Sequence, residues 1–377
     1  MKANVLHESQ ERSILATWMR SGTSKALYIL KDELPKSQGD WDPVLLALMG
    51  TGNQTDGIGG GTPTTSKVAV VSRSTKVGFD VDYTFAQVVS MTGKVDMSGT
   101  CGNLAAGVGR FALDQKLVEC PQGQSQVAIK VFVTNTGQAL LVTVPFPNDA
   151  TRDIGITFLA PNGPMTGSLF PSGARKDYLS FECPSTGTQF VVKTTLIDCT
   201  NPFIFVDSAS MPKPYTLSGP KDRQSEALIE AIRRAGAVRM GLARDTSEAG
   251  LRRGTPKIAL VACPSTVDSS VDVEVTAFST GVLHPSFQVT GAICLSAALS
   301  IPGTVASDLL PSPTLCRESC QRKLQSPCVW RIAHRAGQIH AEIDVSQDKD
   351  GEYFVEKGSI VRTARKLFEG LTFYSLR

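Results

Sequence analysis

The chain has 377 residues, 41% hydrophobic and 19% charged, with a mean hydropathy close to zero, which allows two domains and a substantial core. Its 38 lysines and arginines stand against 35 acidic residues for a net charge of +3, without the clustered basic excess of a nucleic-acid surface. No apolar run reaches the roughly 20 residues that span a bilayer, and the polar opening residues 1–12 lack the apolar core of a signal peptide, so a soluble cytoplasmic protein without nucleic-acid or membrane partners is expected. The unusual counts are 33 glycines and nine cysteines.

Short β-type runs separated by Gly, Pro and Ser turns dominate, with few helical periods, which predicts an α+β fold. The first segment of chemical character is Trp18-Met19-Arg20-Ser21-Gly22-Thr23-Ser24-Lys25. Hydroxyls packed beside Arg20 suit carboxylate recognition, although an ordinary polar turn has the same composition. Next comes a glycine-rich stretch, Asp56 to Ser66, carrying Gly57, Gly59, Gly60 and Gly61 and ending Thr64-Thr65-Ser66. It feeds a predicted strand over Lys67 to Ser72 and lacks the spacing of a phosphate loop. Lys67 opens this otherwise apolar strand and either reaches solvent or stands in a cleft. Further strands are predicted over 85–89, 127–133, 139–144, 190–197, 203–206, 257–262 and 271–278. Helical periods fall over 104–117, 225–240 and 292–299.

Two helix starts carry the strongest signals. In Ser98-Gly99-Thr100-Cys101-Gly102-Asn103, a cysteine precedes a helix, where the dipole and unsatisfied donors stabilise a thiolate. Backbone N–H groups near Gly102 and Asn103 could bind a carboxylate or a developing enolate oxygen. The second start is His284-Pro285-Ser286-Phe287-Gln288-Val289-Thr290-Gly291, with donors near Thr290 and Gly291. His284 could titrate near neutrality or be structural, and Cys294, one turn further on, reads as packing. Asp96 either tunes the Cys101 site or lies at the surface. A weak duplication links the two starts: Thr62-Pro63 leads into Lys67-Val68-Ala69-Val70-Val71, and Thr255-Pro256 into Lys257-Ile258-Ala259-Leu260-Val261. Two similar halves with facing helix starts are therefore expected. Gly22, Gly102, Gly291 and the glycines from Gly57 to Gly61 are expected where backbone meets substrate.

An odd number of cysteines without a secretion signal favours free thiols. Cys316, Cys320 and Cys328, followed by His334 and His340, do not match a common zinc spacing, so no metal is expected. The prolines at 302, 311, 313 and 327 mark a long surface insertion.

Taken together, the segments resemble the PrpF family within the diaminopimelate-epimerase-like fold. The resemblance rests on MRSGTSKALY, GGGTPTTSKVAVV, SGTCGNLAAGVGRFAL, Asn201-Pro202, TPKIALV, VTGAICLSAA and VRTARKLFEG, in order from residue 18 to residue 371. It implies two pseudo-symmetric domains, each a mixed sheet or barrel around a central helix. The first would cover 1–150, completed by strands over 358–377, and the second 151–357, with the insertion near 302–328. It also implies a cofactor-free allylic 1,3-proton shift on an unsaturated di- or tricarboxylic acid such as aconitate, methylaconitate, methylitaconate or oxalomesaconate. Lys67 and Cys101 match the family's acid–base pair. Arg20, Ser21, Gly22, Thr23, Ser24, Thr65, Ser66, Gly102, Asn103, His284, Gln288, Thr290 and Gly291 are the candidate substrate-binding residues, and a homodimer is expected. In related epimerases a second cysteine stands where Gln288 stands here, which disfavours the alternative of an amino-acid racemase. The other alternative is a non-catalytic accessory protein of an aconitase-type dehydratase.

Overall fold

The computed structural model describes residues 11–52, 56–89, 92–146, 153–264, 270–310 and 327–376. A first run of strands comprises β1 (Glu11–Ser21), β2 (Ser24–Leu30), β3 (Lys67–Arg73), β4 (Val81–Val89), β5 (Lys94–Asp96), β6 (Gln126–Val133), β7 (Gln138–Pro145) and β8 (Ile154–Leu159). Helix α1 (Trp41–Met49) lies between β2 and β3, and α2 (Gly102–Asp114) between β5 and β6. The second run comprises β9 (Asp177–Glu182), β10 (Gln189–Cys199), β11 (Asn201–Asp207), β12 (Lys257–Ala262), β13 (Val273–Ser279), β14 (Val282–Leu283), β15 (Cys328–His334), β16 (Gly337–Gln347) and β17 (Tyr353–Arg362). Helices α3 (Lys213–Ser218), α4 (Arg223–Arg239) and α5 (Thr246–Leu251) separate β11 from β12, and α6 (Val289–Ser300) and α7 (Val305–Asp308) follow β14. Strand β18 (Ala364–Ser375) returns to pair antiparallel with β1.

Pairing repeats in the two runs. In the first, β1–β2 is antiparallel, β2–β3 parallel, β3–β4 antiparallel, β4–β6 parallel, and β6–β7 and β7–β8 antiparallel. The second repeats this order through β10–β11, β11–β12, β12–β13, β13–β15, β15–β16 and β16–β17. Each parallel pair needs a crossover, supplied by α1 and α2 in one run and by α3–α5 and α6 in the other. The outer neighbour of β10 is β9, and that of β1 is the C-terminal β18. Strands β8 and β17 pair with each other, so the sheet is continuous across the repeats.

The sequence of α2, GNLAAGVGRFALD, and that of α6, VTGAICLSAALS, are small and apolar on nearly every face, and almost every residue of both is buried. A helix apolar all round belongs inside, and both join one core with the inward residues of strands from both runs. The amphipathic α4 instead covers a smaller core against Leu196, Ile204 and Leu260. The α+β class is therefore the one expected. The strand predicted over 85–89 is the end of the longer β4, and that over 271–278 begins two residues later as β13. Among the described residues no helix is long and apolar enough to cross a membrane, and no group of His, Cys, Asp and Glu could hold a metal. Cys101, Cys120, Cys183, Cys199, Cys263 and Cys294 carry free thiols. Residues 311–326, with Cys316, Cys320 and most of the expected insertion, lie outside the described residues.

Candidate active site

Helices α2 and α6 meet near their N-termini. A Cβ on Gly102 would overlap Val289 Cγ1, so glycine permits the approach. Their N-caps, Cys101 and Gln288, have extended backbones and make no side-chain cap, so no side chain satisfies the first backbone donors of either helix. Matching hydroxyls secure the two starts. Ser21 Oγ donates to Asn103 O at 2.5 Å and accepts from Gly107 N at 2.8 Å, while Thr200 Oγ1 donates to Thr290 O at 3.0 Å. Asn103 and Thr290 occupy the same place relative to their N-caps. The Thr100–Cys101 turn is braced by Asn201, which accepts from Thr100 N at 3.2 Å and donates to Thr100 O at 3.0 Å. Tyr83 donates to Cys101 O at 3.3 Å, and burial pushes its phenol pKa up, keeping it a neutral donor.

Lys67 Nζ lies 3.3 Å from Cys101 Sγ. The lysine is 9% and the cysteine 6% exposed, so of the two readings of Lys67 the structure takes the cleft. Its amine also lies 5.2 Å from the centre of the Phe85 ring. The pair stands in a cleft of about 570 Å³, counted to its open mouth, whose walls come from both repeats. Asp96 is the single carboxylate among the described residues lining it, and its oxygens are engaged: Oδ1 accepts from Ser98 N at 2.9 Å and Ser98 Oγ at 2.6 Å, and Oδ2 from Gly254 N at 2.9 Å. With two lysines and two helix N-termini around it, the cleft favours an anion. His284 is buried and its pKa falls to about 4, because burial and then the nearby Lys67, Lys257 and His334 oppose a positive ring. Its Nδ1 lies 2.7 Å from Ser286 O and 3.1 Å from Ser286 N, so the imidazole is neutral at physiological pH.

The candidate residues divide into two groups. Ser24, Lys67, Asp96, Cys101, Gly102, Asn103, His284, Gln288 and Thr290 line the cleft. Unpartnered buried oxygens in its wall, Asn103 Oδ1, Gln288 Oε1 and Thr100 Oγ1, await a partner. The others are not among its lining residues. Ser21 is fully buried with its hydroxyl spent on α2. Arg20 Nη1 clamps the β1–β2 turn, donating to Gly22 O at 3.2 Å and to Thr363 O and Oγ1 at 2.9 Å. Gly22, in the left-handed region at φ 52°, packs against Asn103. Thr23 Oγ1 accepts from Asn103 Nδ2 at 3.1 Å, Thr65 Oγ1 lies 2.7 Å from Thr62 Oγ1, and Ser66 Oγ accepts from Gly61 N at 2.9 Å. Gly291 lies against Phe287 and Phe203. The glycine-rich loop also departs from expectation: Gly57 and Gly59 press on the end of α1 at Met49 and Gly50, which has no room for side chains. Cys294 is fully buried in α6, as packing predicts.

Lys257 was not singled out from the sequence, yet it lines the cleft beside Lys67. Its signal was the repeat itself: Lys67 opens β3, and Lys257 opens the matching β12. Burial, then the charge of Lys67, lowers its pKa to about 8.

The site is thus a thiol–amine pair at one of two opposed helix starts, in an α+β fold built from two repeats of one strand-pairing order. The family model described as "PrpF protein" matches residues 11–375, and the chain belongs to that family. It is 32% identical to 2-methyl-aconitate isomerase of Shewanella oneidensis, over 95% of this chain and 96% of that one. It is 35% identical to (4E)-oxalomesaconate Delta-isomerase of Novosphingobium, over 94% and 96%. A solved methylitaconate-delta-isomerase aligns with a TM-score of 0.68 and 29% identity, over 97% of both chains. A hydroxyproline epimerase from Agrobacterium vitis aligns at 0.56 with 12% identity, over 97% of this chain and 93% of that one, a likeness of fold alone.

Proposed function

We propose that this protein is a cofactor-independent isomerase that moves a carbon–carbon double bond in an unsaturated di- or tricarboxylic acid by an allylic 1,3-proton shift. The observation that carries the reading is the 3.3 Å contact between Lys67 Nζ and Cys101 Sγ inside an anion-favouring cleft. One member of the pair removes a proton from the carbon next to the double bond, leaving a dienolate. A proton returns two carbons away, so atoms and charge balance without an external reactant. Positioned acid–base groups contribute about 10²–10⁴-fold. The larger part comes from donors already aimed at the developing oxyanion, here the uncapped starts of α2 and α6 with Asn103 and Thr290. The named activities of the relatives support the substrate class. Gln288, as the N-cap of α6, supplies no second thiol, which disfavours a racemase.

The test is proton NMR in D₂O with 2-methylaconitate, cis-aconitate, methylitaconate and 4-oxalomesaconate. Conversion of at least one acid to a double-bond isomer carrying deuterium is expected. An inert panel would refute the reading.

The same proposal treats the repeats as two domains and places the protein in the cytoplasm as a homodimer. The repeated pairing order supports the division, which on that pairing closes at Leu159 and Arg362, the ends of β8 and β17. An exposed apolar stripe across β1 and β18, with Leu15 opposite Leu371 and Phe373 beside them, supports the dimer. Light scattering at micromolar concentration should give twice the chain mass, and should give the monomer mass for Leu371→Glu. A monomeric native protein would contradict this.

A further inference from the structure

The cleft holds a second amine. Lys257 opens β12 as Lys67 opens β3; each strand lies between a parallel neighbour, β11 or β2, and an antiparallel one, β13 or β4. The two lysines thus reach one cleft from opposite repeats, as do the N-caps Cys101 and Gln288. On its own side, however, Lys67 has a thiol at 3.3 Å, whereas no protein hydrogen bond or ion pair engages the Lys257 amine among the described residues. The nearby Asp96 carboxylate is held by Ser98 and Gly254. The approach to Lys257 is rigid. Buried Arg233 is gripped by Glu230 at 2.7 and 2.8 Å and donates to the carbonyls of Ala249, Arg252 and Thr255, just before the strand.

We propose that Lys257 binds a substrate carboxylate, as an ammonium–carboxylate pair facing the Lys67–Cys101 pair, and takes no part in moving the proton. This rests on the functional reading above. The chemistry separates the two amines. A proton shuttle needs a partner with which to exchange, and the residue at the Cys101-equivalent place is Gln288, which does not titrate. An enclosed ammonium that no protein carboxylate contacts, beside a second lysine, gains most from a carboxylate ligand. Charge-assisted pairing also recovers what burial and Lys67 take away from the cation. Substrate binding should therefore raise the proton affinity of Lys257, so that anion binding near pH 8 takes up a proton. The charged and titratable groups facing it are Lys67 on β3, Cys101 at the start of α2, Asp96 on β5 and His284. On the adjoining side stand Glu230, Arg233 and Arg253.

The test uses tricarballylate, a saturated tricarboxylate that cannot isomerise, and isothermal titration of the full chain in buffers of different ionisation enthalpy. The native protein should bind it with proton uptake near pH 8. Lys257→Met should bind about 10–100-fold more weakly and lose the uptake, while Lys257→Arg should keep most of the affinity. Lys67→Met should still bind. Native-like affinity and proton uptake in a folded Lys257→Met would overturn the proposal, as would normal binding combined with lost deuterium exchange, which would make Lys257 a proton carrier. If Lys257→Met does not fold, Lys257→Arg decides alone: loss of affinity together with the proton uptake unchanged would refute the ammonium–carboxylate pair. An inert substrate panel beside normal tricarballylate binding would refute the isomerase reading and leave this one supported.

Discussion

Lys67 and Cys101 lie 34 positions apart in the chain and 3.3 Å apart in space, and their surroundings differ in kind from those of the other titratable groups in the cleft. His284 illustrates the contrast. Its folded pKa of about 4 lies below the ordinary value of 6.5, so the unfolded chain takes up the proton first as pH falls. Stability from this residue is complete above about 6.5 and is lost as pH falls towards 4. His284→Asn should therefore lose less melting temperature than the native protein between pH 7 and pH 5, measured by calorimetry; equal losses would show that the ring does not carry this penalty. Of the site residues, Cys101 was legible because a cysteine before a glycine and an apolar helix has a distinct electrostatic setting. Ser21, Arg20 and Thr65, expected at the substrate, hydrogen-bond protein groups here, because a hydroxyl or guanidinium suited to a carboxylate is equally suited to a backbone carbonyl or a neighbouring hydroxyl. Sequence does not say which partner is nearer. Asn201 shows the converse: its bidentate brace on Thr100 depends on contact between repeats that no local pattern encodes.

At the scale of elements, the contact between α2 and α6 sets the cleft. The two helix starts can be adjacent because Gly102 lies against Val289. Gly102→Ala should cost about 1–3 kcal/mol by overpacking, lowering both melting temperature and turnover. Adding Val289→Ala should restore part of both, since it removes the obstructing methyls; a double variant no better than the single one would show that this contact does not set the spacing. The three long helices and eight of the strands were legible from period and β-branched runs. Helix α1 was not, being nine residues long with Pro43 in its first turn. Strand β18 was expected only through the family resemblance, within 358–377, because Phe368, Leu371 and Phe373 are exposed, so its own composition does not report a buried face. Strand β9 is short and edge-lying, with Tyr178 exposed.

Across the whole molecule, the repeated pairing order produces one cleft from two halves and then breaks its own symmetry. The two lysines are retained at equivalent strand starts, while the helix caps diverge into a thiol and an amide. On the function proposed above, that divergence puts proton transfer on the side of the thiol and anion binding on the other. The duplication was visible in Lys67-Val68-Ala69-Val70-Val71 and Lys257-Ile258-Ala259-Leu260-Val261. What it meant for Lys257 was not, because a repeat read from sequence says that two segments are alike without saying that both face the same space.

The most direct test of the central claim is solvent-deuterium incorporation into the preferred unsaturated acid, followed by NMR for the native protein, Cys101→Ser and Lys67→Met under saturating substrate. The account predicts rapid exchange in the native protein and a loss of about 10²–10⁴-fold in each variant, with folding and tricarballylate binding retained. Exchange at near-native rates in either variant would contradict it.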